Sequence, residues 1–415
     1  MKKIFISMVA LLGITATTQA QDFLKNYRPA DKNGVNVFEA PKDTTSTNND
    51  VKVKIGGAFA LQFQALQHEN NGNVALYDIG NNFNLATANL DIDVKLYDGV
   101  NLNLRTYLSS RHHPEPYVKG GYITIDKLDF IKKDFLADLM QYVTIKIGHM
   151  ENNYGDAHFR RSDNAQALYN PFVGNYIMDA FTTEVGAEVY YRRNGFIGMV
   201  GVTNGRLNQT ASGGTSPSTL LKLGYDKQIN EDLRVRLTGS MYHTAQTTRA
   251  YLYGADRAGS RYYFVTEAEG ATSSGNYTSG RYNPAFNNQM TAFMINPFVK
   301  YKGLEFFGLI ETVSGRATAN ADTRNFTQLG SELLYRFGQN ENFYVGGRYN
   351  TVSGEIVTGE DVKINRFNLG AGWFMTKNML VKLEYVNQKY KDFPTADRLG
   401  GAKFSGFVAE AVIAF

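Results

Sequence analysis

The chain has 415 residues, with 43 Lys and Arg against 39 Asp and Glu, a formal charge of +4 and no Cys. The near balance argues against nucleic acid as a partner, and the missing thiols exclude disulfides, thiolate metal sites and cysteine catalysis. Mean hydropathy is −0.33, yet aromatics reach 13% with 26 Tyr and 27 Phe, and 40 Gly stand against 9 Pro.

In chain order, Met1-Lys2-Lys3, an apolar run from Ile4 to Ile14 and small residues up to Ala20 read as a signal peptide over 1–20. The run is too short for a membrane helix, so the mature protein is expected outside the cytoplasm. Residues 21–50 are polar, with Pro29 and Pro41, and read as a flexible periplasmic leader. From 51 to 415 the pattern has a period of two, with no linker and no helical rhythm. Val51, Val53, Ile55, Phe59, Leu61 and Phe63 alternate with Lys52, Lys54 and Gln62, and the same rhythm holds Leu90–Leu96, Leu233–Leu237 and Val381–Tyr385. Connections alternate short, such as Asp98-Gly99 and Asn194-Gly195, and long, such as 68–81, 111–116, 206–216 and 244–289. One short-side connection, 127–140, reads as a small amphipathic helix. The expected fold is all-β, a transmembrane antiparallel barrel of about sixteen strands over 51–415, surrounded by outer-membrane lipid. In the last strand Phe407, Ala409, Ala411, Ile413 and Phe415 share one face.

The stretch 143–181 departs from the rhythm. It opens as a strand, and then about thirty residues follow that are too long for a turn and too polar for a core. They carry Arg160-Arg161, Glu151, Asp156, Asp163 and Asp179. Asp163-Asn164-Ala165-Gln166 reads as the cap of a short helix that Pro171 stops. This third external loop is expected to fold into the barrel mouth and narrow it.

A charge on the lipid face at mid-membrane costs about 2–4 kcal/mol, so the charged face of each strand must point inward. That puts Arg105, Lys146, Arg192, Arg234, Arg236, Arg348, Arg366 and Lys382 on the lumen wall, with Asp91, Asp93, Glu184, Glu188 and Glu384. A lumen this polar reads as a water channel. Arg160, Arg161 and Asp163 are the candidate constriction. There a cation is felt by every passing ion and favours anions. The other reading has the two arginines tie the loop to the wall through Glu184 or Glu188, or to Asp156 and Asp163.

A signal peptide, about sixteen strands, a long third loop and a terminal Phe415 resemble the Gram-negative outer-membrane porins. Ile145-Lys146-Ile147-Gly148, the Arg-bearing loop and Glu184-Val185-Gly186 are similar to the phosphate-selective (O/P-type) group. The resemblance implies passive diffusion of small hydrophilic solutes or anions, Arg160 and Arg161 as constriction cations, and a homotrimer. The rival reading is an outer-membrane anchor whose loop 244–289 binds a partner. An enzyme is not expected. His112-His113 and His158 have no recognisable nucleophile nearby in sequence. No metal, phosphate-loop or dinucleotide pattern is present, so no cofactor is expected.

Overall fold

The computed structural model describes residues 27–43, 50–108, 117–205, 215–254 and 261–415. The signal peptide, the whole 111–116 loop with His112-His113, and most of the 206–216 loop lie outside the described residues. In chain order the strands are β1 (Lys52–Glu69), β2 (Asn82–Phe83), β3 (Thr87–Tyr97), β4 (Val100–Tyr107), β5 (Tyr117–Ile125), β6 (Val143–Glu151), β7 (Thr183–Arg193), β8 (Phe196–Thr203) and β9 (Ser218–Gln228). They continue as β10 (Leu233–Thr244), β11 (Gln289–Tyr301), β12 (Leu304–Arg316), β13 (Arg324–Phe337), β14 (Phe343–Glu355), β15 (Asp361–Thr376), β16 (Met379–Lys391) and β17 (Lys403–Ala414). All lie in one sheet, in which β2 is a two-residue extension of the first hairpin. The other sixteen form a closed antiparallel barrel, sealed where β1 pairs with β17 from Ala58↔Ala414 to Glu69↔Lys403.

Alternation decides the two faces. Outward residues such as Phe293, Ile295, Ile310, Leu329, Leu333, Leu369 and Leu383 are exposed, the apolar band that lipid requires. At the short-turn end Tyr335, Phe337, Phe343 and Trp373 stack in sequence along the outer surface, with centroids 5.8–6.0 Å apart, as in the aromatic girdle of a membrane interface. The tight turn between β7 and β8 uses Asn194 and Gly195 at φ 52° and 90°, the left-handed pair that a type I′ hairpin needs.

Two local expectations fail. Residues 127–140 contain only one helical turn, α1 (Ala137–Met140), and Phe130, Ile131, Phe135, Leu136 and Leu139 stand exposed on the segment. Its apolar residues follow no helical stripe that packing against the barrel would reward. Likewise Asp163 does not cap a helix. It closes a turn with Gln166, N···O 3.1 and 2.9 Å, around Asn164 at φ 52°. Its carboxylate is taken by the Tyr107 hydroxyl and by Arg161, so it cannot serve a helix end.

Candidate functional site

Residues 152–182 of the third loop are buried almost throughout and lie inside the bore. Irregular backbone there must satisfy its own polar groups, and the inward side chains of the wall supply the partners. Asn153 N donates to Glu188 at 3.0 Å, Asp156 N to Asn296 at 2.8 Å, Ile177 N to Asn350 at 2.7 Å and Met178 N to Gln328 at 2.9 Å. The carbonyls of Ala167 and Phe172 accept from Lys382 at 2.9 and 3.0 Å, and that of Gly174 from Arg348 at 2.6 Å. On the far side Asn164 donates to the Ala88 carbonyl of β3 at 2.6 Å. The loop therefore crosses the full width of the barrel. Glycines on the wall make room for it: a Cβ on Gly330 would stand 2.6 Å from the Tyr176 ring, and one on Gly370 3.0 Å from that of Phe172.

Arg160 and Arg161 are both consumed within this architecture. Arg160 lies 3.1 Å from Glu332 and 3.9 Å from Glu305, is also held by Asn36, and its side chain is 1% exposed. Arg161 binds Asp179 through two nitrogens at 2.8 and 2.6 Å and reaches Asp163 at 3.4 Å. Glu184 and Glu188 play no part in this. Glu184 accepts from Tyr242 at 3.0 Å and from Thr203, while Glu188 accepts from Tyr190 and faces Lys146 at 3.8 Å.

The remaining wall candidates also face inward. Arg105 pairs with Asp91 at 2.5 Å and approaches Asp163 at 3.9 Å. Arg234 binds Asp226 at 2.7 Å, Arg236 binds Asp156 at 2.8 Å, and Arg348 binds Glu332 at 2.8 Å. Lys146 lies 4.4 Å from the centre of the Tyr122 ring.

Two further segments share the bore. Loop 244–289 turns inward, where Tyr253 donates to Glu311 at 2.6 Å and Tyr262 to Glu384 at 2.5 Å. It packs with inward apolar residues of β11–β17, including Phe298, Phe307, Leu309, Val313 and Val408. Residues 27–43 are not a free leader. Asn36 donates to Glu305 at 2.7 Å, and Glu39 lies 3.2 Å from Lys222 and 2.8 Å from Arg236. Lys222 of β9 and Arg234 and Arg236 of β10 are three inward cations that share Asp156 and Asp226, and Glu39 brings them a third carboxylate. Together these inserts correct the expectation of a lumen that is water and not packed core: on the side of β11–β17 the bore is packed.

One open part lies against β1 and β3–β7, near the short-turn end. It is a cavity of about 240 Å³. The wall contributes Lys54, Asp91, Asp93, Asn103, Arg105, Tyr122, Thr144, Lys146, Glu151 and Arg192; the loop contributes His158, Arg161, Asp163 and Tyr169; the leader contributes Arg28, Phe38 and Glu39. Arg28 lies 3.5 Å over the Tyr169 ring, and its buried Nη2 has no hydrogen-bond partner among the described residues. Burial pulls its pKa down to about 10, so it stays charged at neutral pH. The leader residues of this lining went unrecognised in the sequence, where only the clustering of Arg28, Lys32, Glu39 and Lys42 hinted at a charged surface to match.

No protein-family model matches the chain, and no curated protein matches it in sequence. Solved structures do. The anion-selective porin from Comamonas acidovorans aligns over 88% of this chain and 100% of its own, with 11% identity and a TM-score of 0.55. In-vitro folded OmpT, an outer membrane protein of Vibrio cholerae, aligns over 89% and 99%, with 13% identity and a TM-score of 0.53. The outer membrane channel DcaP of Acinetobacter baumannii aligns over 89% and 99%, with 10% identity and a TM-score of 0.53. At these identities the likeness is one of fold. With the lipid-facing band it makes the chain an outer-membrane β-barrel of sixteen strands.

Proposed function

We propose that the protein is a diffusion channel for small hydrophilic solutes with a mild preference for anions. The cavity against β3–β7 carries the reading. Among the described residues, Arg28, Lys54 and Arg192 have no carboxylate at ion-pair distance, and Lys146 has Glu188 only at 3.8 Å. Against them stand Asp93, held by Asn103 at 2.6 Å, and Glu151, whose ion-pair partner is His158 at 2.5 Å. In a narrow passage such a surplus acts on each ion with less screening than in bulk water. The sign of the selectivity is thus assigned to these cations and not to Arg160 and Arg161.

The test is the reversal potential of the protein in planar bilayers under a salt gradient. Replacing Arg28, Lys54 and Lys146 together by Gln is expected to move it toward cations. An unmoved potential removes the assignment. Adding phosphate to the chloride solution probes the phosphate-selective subgroup. A block of chloride current at low phosphate supports it, and simple additivity of the two ions opposes it. Assembly as a homotrimer belongs to the same proposal, and OmpT of Vibrio cholerae is known in a trimer form. Light scattering of the detergent-solubilised protein measures the assembly.

The packed side of the bore favours a second reading, an anchor whose barrel does not conduct. Absence of any current from folded, inserted protein would select it.

A further inference from the structure

Resting on the channel reading, we infer that residues 27–43 form a second constriction, a collar fixed inside the rim at the short-turn end that sets the size limit of the pore.

The contacts of this segment go round the ring in one direction. The Tyr27 hydroxyl donates to the Leu102 carbonyl of β4 at 2.7 Å. Lys32 then spans two turns. Its backbone N donates to Lys377 O between β15 and β16 at 2.7 Å, and its ammonium donates to Asn342 before β14 at 2.8 Å. Asn36 meets β12 through Glu305 at 2.7 Å, and its own carbonyl accepts from Arg234 of β10 at 3.0 Å. Glu39 meets β9 and β10 through Lys222 and Arg236. The Ala40 carbonyl accepts from Arg192 of β7 at 2.6 Å. Lys42 ends the circuit between β5 and β6, donating to Asp126 at 3.0 Å and to Val143 O at 2.6 Å.

Every anchor except Lys222, in the middle of β9, stands near a short turn, so the circuit stays close to one level of the barrel. Seventeen residues at up to about 3.5 Å each are enough chain for such an inner turn. The collar is held by buried charge. Glu39 and its two bases are out of water, and breaking such a group is costly. Its inner edge, Arg28, Ala30, Phe38 and Ala40, faces the cavity. A solute in that cavity has the third loop on one side and the collar on another. The third loop alone therefore does not set the width.

The test uses the full chain with residues 27–43 replaced by a Gly-Ser segment of equal length, and separately with A40W, which adds bulk at an exposed position on the collar's inner edge. Single-channel current and exclusion of neutral poly(ethylene glycol) of graded size are read for each. The replacement is expected to raise the current and abolish the parent's size cut-off, and A40W to lower both. A parent that is closed and opens on replacement also supports the collar. If the parent conducts and both variants match it, the collar falls and the channel stands. If neither parent nor replacement conducts when folded and inserted, the channel reading falls and takes the collar with it. Should the replacement fail to fold, A40W alone decides.

Discussion

Arg160 and Arg161 show how a pair of adjacent cations divides its work once the wall is known. Arg160 sits between Glu332 and Glu305 with Asn36 across from it, and its guanidinium lies 5.1 Å from the centre of the Phe307 ring. Such a group is out of reach of a passing ion. Replacing Arg160 by Met leaves Glu332 with Arg348, and Glu305 with Arg336 and Lys300, as their remaining bases. Loss of one partner from a buried charge cluster costs about 3–5 kcal/mol. The expected outcome for R160M is a clear fall in the denaturant midpoint of refolded protein with an unchanged reversal potential. A shifted potential at unchanged stability would return Arg160 to the pore. Sequence alone left both roles open because Arg160 and Arg161 are equivalent in pattern. Their partners Glu332 and Asp179 lie 172 and 18 residues away, and only closure of the ring brings the first into reach.

At the scale of elements, the strands were legible because a period of two survives any tertiary context. The third loop was legible because it broke that period over too many residues. What fills the bore was less so. The signal was present in β12, where Phe306-Phe307-Gly308-Leu309-Ile310 is apolar on both faces, and again at Leu333-Leu334 in β13. A wall strand with an apolar inner face must have something to pack against. By contrast the inner faces of β3 and β4 carry Asp91, Asp93, Lys95, Asn101, Asn103 and Arg105, and there the cavity remains. The collar had no period to betray it, since its order comes from charges on other elements. Its docking has a defined pH dependence. Burial by itself would raise the Glu39 carboxyl, but Lys222 and Arg236 hold it well below the ordinary 4.5. The same two bases serve Asp156, which is also lowered. A carboxylate depressed in the folded state contributes stability above its unfolded value and loses it as pH falls through the folded one. The collar is therefore expected to stay docked from neutral pH down to about 4.5 and to release only in stronger acid. Proteolysis of the segment by an acid-active protease at stepped pH reads this. Release already at mildly acidic pH would contradict the ion-pair anchoring.

The whole molecule has two apolar surfaces with different solvents. The outer one meets lipid, and the inner one meets the protein's own inserts. Adjacent residues of β12 separate them. Ile310 points outward between Ile295 and Leu329, and all three are exposed. Leu309 points inward and is 1% exposed, within the core that the inserts complete. Ile310→Arg places a charge in hydrocarbon and is expected to cost about 2–4 kcal/mol in a bilayer. Leu309→Ala opens a void in packed protein and is expected to cost about 2–5 kcal/mol. The magnitudes overlap, so size alone does not tell them apart. Their dependence on solvent does. In a detergent whose headgroups and water reach the barrel surface, an arginine at position 310 is hydrated and its penalty shrinks. The void at position 309 is shielded from detergent and lipid alike, and its penalty holds. Guanidinium titrations of both variants in phospholipid vesicles and in micelles make the comparison. Equal medium dependence for the two would mean that the inner surface is wetted like a channel wall over its whole circumference, and that the packed side of the bore is open in the membrane.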